Sequence, residues 1–372
     1  MATIQVPADQ STIQAAINAA SSGDIINIAA GTYQEELDDS VGNITLQGAT
    51  GNPEDVIIIS SGSTTTAHTI DIGADSTIKN LTVYYSGSAS SANVNNAPLA
   101  VKGRGGYVKF HMDNCRVLTL KGGIGYLSQG STINRVWFES MYKSSSGTSN
   151  KTWAMYPMAS RGGSDPGVIV TSCASIDMNW ADFWSLEGPI INTTISTQYN
   201  LNDGARRLIY ADEVVNCIAN IKRPASNDIH SGIVSENSSI IHNNIVHGGS
   251  TAAKDMPSGG TQVNNVKHDD VTFPLFVNES GSILNVNSTM GQGHNIRVVS
   301  GSQAYRGGTG SYQALGTASF GLDGKPFNVS NPTIGCFAYS FAHNLAGVNQ
   351  NQVSGALGLG LTSIKSILGV ET

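Results

Sequence analysis

The sequence predicts an all-β protein whose strands stack as a parallel solenoid, that is, a parallel β-helix. Three observations predict it: a recurring apolar-asparagine-apolar pattern, the near absence of helical periodicity after residue 31, and one amphipathic helix near the start. Strand twist and the preferred crossover hand make the expected solenoid right-handed, over about residues 23–300.

The helix is the first predicted element, over residues 11–22. Ser11 and Gln14 have the spacing of a capping box, and Gly23 stands where a helix commonly ends in a left-handed residue. The apolar residues recur at helical spacing: Ile13, Ala16, Ile17 and Ala20. Because a solenoid end exposes unpaired backbone groups and an apolar core, we expect this helix to cap the first rung.

The repeat is irregular in length but consistent in pattern. It occurs over residues 76–83, 112–117, 131–138, 189–196, 213–221 and 239–249, with Asn80, Asn114, Asn134, Asn192, Asn216 and Asn243 at its centre. Asparagine tolerates a tight corner, and its amide can bond to the equivalent corner of the next rung. The longest gap can hold a further rung near 168–176 with Ser172 at the corner. The alternative is that these asparagines mark ordinary turns.

Three of the four cysteines support the same register. Cys115, Cys173 and Cys217 each follow a predicted corner residue, so we expect them in one inward-facing column as small apolar side chains. No histidine lies in these short segments, which argues against a catalytic thiol. The cysteines also lack C-x-x-C spacing, so no zinc site is expected.

Composition excludes several classes of protein. The chain has 372 residues, of which 13% are charged and 42 are glycine, and its net charge is −7. With no basic block, nucleic-acid binding is not expected. No apolar run reaches the roughly 18 residues of a membrane span, so membrane insertion is not expected either. The start of the chain lacks a basic stretch followed by an apolar core, so we expect synthesis in a cytoplasm without a signal peptide.

Two parts of the sequence resemble right-handed parallel β-helix proteins of the pectate-lyase-like superfamily. Residues 12–37, "TIQAAINAASSGDIINIAAGTYQEEL", and 44–51, "ITLQGATG", are similar to their cap helix and first two rungs. Residues 274–289 and 322–337, "LDGKPFNVSNPTIGCF", resemble the closing segment of secreted and phage-borne members, with Cys336 and Ala338 departing from the pattern. The resemblance implies a β-helix over 1–340, closed by 274–340. The fold itself hosts lyases, hydrolases, esterases and inert fibres.

No catalytic set of that superfamily is recognisable along the chain. Asp212 and Glu213 are adjacent in a predicted strand and would point to opposite faces, so a surface charge pair is the better interpretation. The histidines at 230 and 242 lie near turns, without metal-ligand spacing. We therefore predict no catalytic residues, no metal and no cofactor.

The richest polar-aromatic stretch is "SIDMNWADFWSLEG", residues 175–188. We predict a glycan-binding site at Trp180, Asp182, Trp184 and Glu187, with Trp153 in the preceding loop. Aromatic rings stack on sugar faces, and carboxylates accept hydroxyl protons. The alternatives are aromatic packing on the solenoid flank or against another subunit, and catalysis by Asp182 and Glu187.

The last segment, 341–372, lies beyond the predicted closure. It is glycine-rich and then apolar over 357–370, so we expect an assembly or attachment tail. Together these features favour a phage virion protein: a tail fibre, tailspike or capsid-attached β-helix. We expect it to be homotrimeric, bound to other virion proteins through the tail, and able to contact host surface polysaccharide. The alternative is a polysaccharide lyase or glycoside hydrolase.

Overall fold

The protein is a right-handed parallel β-helix in the computed structural model. The structure describes residues 1–62, 67–87, 98–141, 152–156, 167–176, 178, 181–197, 206–221, 230–234, 240–247, 261–266, 298, 304, 307–309, 320–322, 324–328, 332 and 334–336. The predicted tail at 341–372 lies outside these residues.

The elements in chain order are β1 Thr3–Val6, α1 Ile13–Ala19, β2 Ile25–Ile28, β3 Gly31–Gln34, β4 Leu37–Asp38, β5 Thr45–Gly48, β6 Val56–Ser60, β7 Ile70–Ile72, β8 Thr77–Lys79, β9 Thr82–Tyr85, β10 Leu99–Gly103, β11 His111–Thr119, β12 Gly122–Gly125, β13 Thr132–Ser140, β14 Trp153–Tyr156, β15 Ile169–Thr171, β16 Ala174–Ile176, β17 Ala181–Ile191, β18 Thr194–Thr197, β19 Arg206–Val215, β20 Ile218–Ile221, β21 His230–Val234, β22 Ile240–His242, β23 Ile245–His247 and β24 Thr261–Val263.

The strands form three faces, and every pairing between them is parallel. Face A contains β1, β2, β5, β8, the first half of β11 and of β13, β15, the second half of β17 and of β19, β22 and β24. Face B contains β3, β6, β9, the second half of β11 and of β13, β16, β18, β20 and β23. Face C contains β4, β7, β10, β12, β14, the first half of β17 and of β19, and β21.

The core lies inside these three faces. Alternate residues of each strand point inward, and the register stacks them into apolar columns. The column of face A comprises Ile26, Leu46, Ile78, Met112, Ile133, Val170, Ile190, Val214 and Ile241, all fully buried. Burying each such side chain contributes about 1.5–3 kcal/mol before its entropy cost.

The one-residue corner between faces A and B is where the recurring asparagines lie. Asn80, Asn114, Asn192, Asn216 and Asn243 have left-handed backbone φ of 50–58°, and Ser172 has 54°. This confirms all but one of the predicted corners. In the rung of β13 the corner residue is Arg135, with φ 50°, and not Asn134.

Asn134 lies one position earlier, on face A. There it pairs with Asp113 in the register, and its Nδ2 donates to Asp113 Oδ1 over 2.7 Å. At this rung the corner predicted from the sequence was therefore one residue too early.

The cysteine column is confirmed. Cys115, Cys173 and Cys217 directly follow corner residues and are fully buried, with each Sγ donating to backbone carbonyls of its own rung and the preceding one. Burial raises the thiol pKa of all three, to about 12 for Cys115. A nucleophile needs the thiolate, so these cysteines are structural.

The cap helix is shorter than predicted and is capped differently. It runs Ile13–Ala19, and Thr12, not Ser11, is the N-cap, accepting from the backbone N–H of Ala15. The Glu35 carboxylate accepts from the N–H groups of Ile13 and Gln14, so an acidic side chain from the next turn replaces the expected capping box.

The helix also lies within the first rung and does not precede it. Strand β1 pairs with β2 ahead of the helix, so the solenoid starts near residue 3 and not at 23. The buried face of α1 is the predicted one, with Ile13, Ala16 and Ile17 fully buried. Gly23 has φ +90° in the turn that leads into β2, several residues after the helix end at Ala19.

A returning segment, the described residues between 298 and 336, packs on the outside of face B. It covers an outward apolar patch that includes Trp137, Ala174, Ile218 and Ile245 with its own apolar residues Val298, Ala304, Leu322, Ile334 and Cys336. All these side chains are at most 5% exposed. The predicted closing segment therefore runs back along the outer wall in its described part.

Candidate functional site

The structure describes part of the predicted glycan site, on strand β17, whose first half belongs to face C. The backbones of Asp182, Trp184 and Glu187 lie in β17, whereas Trp180 and the side chains of those three residues lie outside the described residues. Phe183, between two of them, is buried and packs edge-to-face on Phe138, with ring centroids 5.4 Å apart. Trp153 is on strand β14 and 1% exposed, so its predicted position in a loop was wrong.

A charge cluster that the sequence analysis missed lies on the same face. It consists of Asp38, Asp71, Lys102 and Arg104. Consecutive rungs place the first three in one outward column, because Asp38 pairs with Asp71 and Asp71 with Lys102 in the register. Arg104 follows β10 and donates through Nε and Nη2 to the two carboxylate oxygens of Asp38.

Asp71 is the unusual member of the charge cluster. Its Oδ2 is 3.8 Å from Lys102 Nζ, while its Oδ1 is buried and has no hydrogen-bond partner among the described residues. Burial raises the pKa of the Asp71 carboxyl and Asp38 adds to the rise, whereas Lys102 and Arg104 oppose it. A buried carboxylate oxygen without a donor is costly. The Asp71 side chain is nevertheless 30% exposed, so a ligand hydroxyl can donate to its other oxygen.

Two tyrosines flank the charge cluster. The ammonium of Lys102 lies 5.7 Å from the ring centroid of Tyr126, which is in turn 5.6 Å from the ring of Tyr107. Tyr107 is 44% exposed. The cluster therefore has open aromatic surface next to hydrogen-bonding carboxylates, the combination expected at a sugar-binding surface.

The register connects the charge cluster to the predicted aromatic stretch. The backbone register continues from Lys102 to Gly125 and then to Tyr156, and the pairing of Met155 with Phe183 extends it to the backbone of Trp184. Four rungs separate Asp71 from Trp184, which is about 19 Å at the usual strand spacing. Both features thus lie along one line parallel to the solenoid axis.

A neighbouring carboxylate, Asp39, has a structural role. It is fully buried and accepts from the N–H groups of Val41, Gly42 and Gly73 and from the hydroxyl of Ser76. With its oxygens satisfied, it fixes the corner from face C to face A and takes no part in the exposed surface.

His68 and His111 are the two imidazoles in the described part of the chain whose pKa is shifted. Burial and the charge of Lys102 lower the pKa of His68 to about 4, and its Nδ1 accepts from the N–H of Leu99 over 3.0 Å. Burial and Lys109 lower the pKa of His111. Both are therefore neutral at pH 7.

Within the described residues, no group of three or more potential metal-binding side chains comes together. No helix in that part of the chain is long and apolar enough to cross a membrane.

No protein-family model and no curated protein sequence matches the chain. Among solved structures it is similar to pectin methylesterase from Aspergillus niger, with 17% identity, 72% of this chain and 84% of that chain covered, and a TM-score of 0.41. Pectin methylesterase from carrot matches with 14% identity, coverage of 71% and 82%, and a TM-score of 0.38. Pectin methylesterase PemA from Erwinia chrysanthemi matches with 15% identity, coverage of 71% and 78%, and a TM-score of 0.32.

Proposed function

We propose that this protein binds a polysaccharide along the outer surface of face C. The observation that carries the proposal is the shared column, which aligns the charge cluster with Trp184 along the solenoid axis. Consecutive rungs repeat the same surface at a fixed spacing, and a glycan chain is itself a linear repeat. Asp71 supplies an acceptor at one end, and Tyr107 and Tyr126 supply ring surface beside it.

Carbohydrate-binding measurements on matched variants test this. Asp71→Asn and Tyr126→Ala should each weaken binding to an immobilised polysaccharide panel by about 1–3 kcal/mol, because they remove a charged acceptor and a stacking ring. Asp113→Asn is the matched control: Asp113 is also an outward, ion-paired carboxylate, but lies on face A. Tyr84→Ala on face B is the aromatic control. Equal losses in control and test variants would remove face C from consideration.

The predicted aromatic site is part of the same proposal. Replacing Trp180 and Trp184 together by alanine should weaken binding by about 1–3 kcal/mol if the rings contact sugar. Normal binding by the double variant, together with a loss in Asp71→Asn, would confine the site to the charge cluster.

Polysaccharide cleavage is the enzymatic form of this function, as a lyase or hydrolase. One observation favours it: Asp38 and Asp71 are carboxylates on adjacent rungs, and their surroundings differ. Asp38 accepts two hydrogen bonds from Arg104, whereas burial raises the pKa of the Asp71 carboxyl, so the two carboxyl groups have different surroundings, as the two carboxyl groups of a glycosidase do. Release of reducing or unsaturated chain ends by the wild type, and its loss in Asp71→Asn, would establish cleavage.

Attachment to a phage virion as a homotrimer is a second candidate function, in which the glycan is a host surface polysaccharide. The apolar run within 357–370, after a glycine-rich stretch, favours it. Deleting 343–372 should leave a folded β-helix of lower oligomeric state that no longer joins a particle. Native mass measurement checks this, and an unchanged trimer would exclude the tail as the assembly element.

A further inference from the structure

We infer that the face C surface takes a neutral, hydroxyl-rich glycan and disfavours polyuronates. The inference rests on the proposed glycan-binding function and specifies its ligand class. It follows from how the cations, the imidazoles and the partly exposed Asp71 carboxylate of this surface are arranged.

Three cations in the described part of this region are already paired with carboxylates. Lys102 lies 3.8 Å from Asp71, Arg104 donates to Asp38, and Lys109 Nζ lies 2.5 Å from an Asp75 oxygen. A uronate could bind one of these cations only by displacing the resident carboxylate or by approaching it closely. Both cost free energy, since like charges that share a site repel.

The imidazoles add no positive charge at neutral pH. With the pKa of His68 lowered to about 4 and that of His111 also lowered, neither compensates the carboxylates of this surface. The formal charges of the three ion pairs cancel, so these pairs offer a uronate no net positive charge. The whole chain has a net charge of −7, so its long-range field also repels a polyanion.

The Asp71 carboxylate is the acceptor that this surface offers. Its Oδ1 is buried and accepts no hydrogen bond within the described chain, but the side chain is 30% exposed, so a sugar hydroxyl can donate to the other oxygen. A uronate carboxylate at that position can only accept and would be repelled. Tyr107 and Tyr126 then provide apolar surface for the sugar ring without requiring charge.

The experiment compares length-matched neutral and acidic polymers on the full chain. The neutral probes are glucan, galactan, mannan and xylan fragments, and the acidic probes are polygalacturonate and alginate fragments. We expect the best neutral probe to bind at least about tenfold more tightly than either acidic one, the worth of one hydrogen bond to a charged group. Its affinity should change by less than about twofold between 20 and 300 mM NaCl, because no net charge is neutralised.

The variants distinguish an error in the inferred ligand class from an error in the proposed glycan-binding function. Asp71→Asn should reduce neutral-probe binding, and Asp113→Asn should not. Tighter binding of polygalacturonate or alginate, lost in Asp71→Asn and weakened by salt, would overturn the ligand class but leave glycan binding at face C standing. Absence of binding to every probe, or binding that Asp71→Asn and Tyr126→Ala both leave unchanged, would overturn the proposed function itself.

Discussion

The A–B corner is built in two different ways along the solenoid. In the early rungs the corner asparagines bond to each other, as Asn114 Nδ2 donates to Asn80 Oδ1 over 2.9 Å. In the later rungs they bond to the returning segment: Asn216 exchanges two hydrogen bonds with the backbone of Thr309, and Asn243 donates to the carbonyl of Gly307. Asparagine therefore links neighbouring rungs in the early part of the solenoid, and in the later part it binds the returning segment.

The outer surface of face B changes at the same place. In the early rungs the outward column that leads to Trp137 is mixed: it contains Ile57, Thr82 and Arg116, and Arg116 pairs with Glu54. From Trp137 onward the outward column turns apolar and is covered, with Ile218 and Ile245 packed against the returning segment. We therefore expect the later rungs to depend on the returning segment for stability more than the early rungs do. Removing that segment should affect the two regions unequally.

The largest effect is expected from Gly335→Ala. Gly335 has φ +103°, and an added Cβ would lie 2.7 Å from Thr194 Oγ1 and 2.9 Å from Ile218 Cδ1. We expect a loss of about 2–4 kcal/mol in stability, from backbone strain plus overpacking. Limited proteolysis should show cleavage of the returning segment before the early rungs, and urea unfolding should show the loss.

Gly324→Ala is the control for this variant. Gly324 lies in the same segment with φ +68°, but nothing lies within 4 Å of its added Cβ. It should cost only about 1 kcal/mol, the backbone term alone. Equal destabilisation by both changes would mean that the contact with face B contributes little.

The second comparison replaces a corner asparagine by glycine in each region. Glycine adopts positive φ freely, so the change removes hydrogen bonds without adding strain. Asn216→Gly should cost about 2 kcal/mol, because Asn216 is 1% exposed and its loss leaves Thr309 groups unpaired. Asn114→Gly, at a half-buried corner, should cost about 1 kcal/mol. Urea midpoints of the two variants check the order, and a larger effect at Asn114 would contradict it.

The corners were the most predictable feature because their cause is local. Only a few residue types tolerate a left-handed corner, so asparagine recurs and marks the rung. Arg135 was not predicted because arginine is not a typical corner residue. Its position opposite Asn114 is defined only by the register, between the pairs Asp113–Asn134 and Cys115–Val136. The hydrogen bonds from the helix start to Glu35 could not be predicted from local sequence either, because Glu35 belongs to a later turn of the solenoid.

The charge cluster was not predicted because irregular turns separate its members. Asp38, Asp71 and Lys102 come from rungs of unequal length, and the asparagine pattern marks another corner. A signal did exist. Each residue follows an apolar one, in Leu37–Asp38, Ile70–Asp71 and Val101–Lys102, and aligning these pairs would have given the face C register. The aromatic stretch at 180–187 was predicted from composition alone. Composition does not show where this stretch lies relative to the charge cluster.

The smallest expected effect is an acid sensitivity confined to the early rungs. His68 has a pKa of about 4 when folded, against about 6.5 when unfolded. Between these values the unfolded state binds more protons, so stability falls as pH decreases from 6.5 to 4, and below pH 4 the effect no longer grows. After allowing for partial exposure, we expect about 1 kcal/mol from this group.

His68→Asn isolates this contribution. The Asn Oδ1 can accept from the Leu99 N–H in place of Nδ1, and it does not titrate. The difference in urea midpoint between wild type and variant should therefore change from pH 7 to pH 4, with the wild type losing more stability. Carboxylate titrations elsewhere cancel in this difference because they are common to both chains. Since His68 lies next to β7, amide exchange at pH 4.5 should accelerate around residues 67–72 and 98–103 in the wild type, while the rungs under the returning segment stay protected. Equal acceleration in both regions would show that the solenoid responds to acid as one unit, and would contradict the division between early and later rungs.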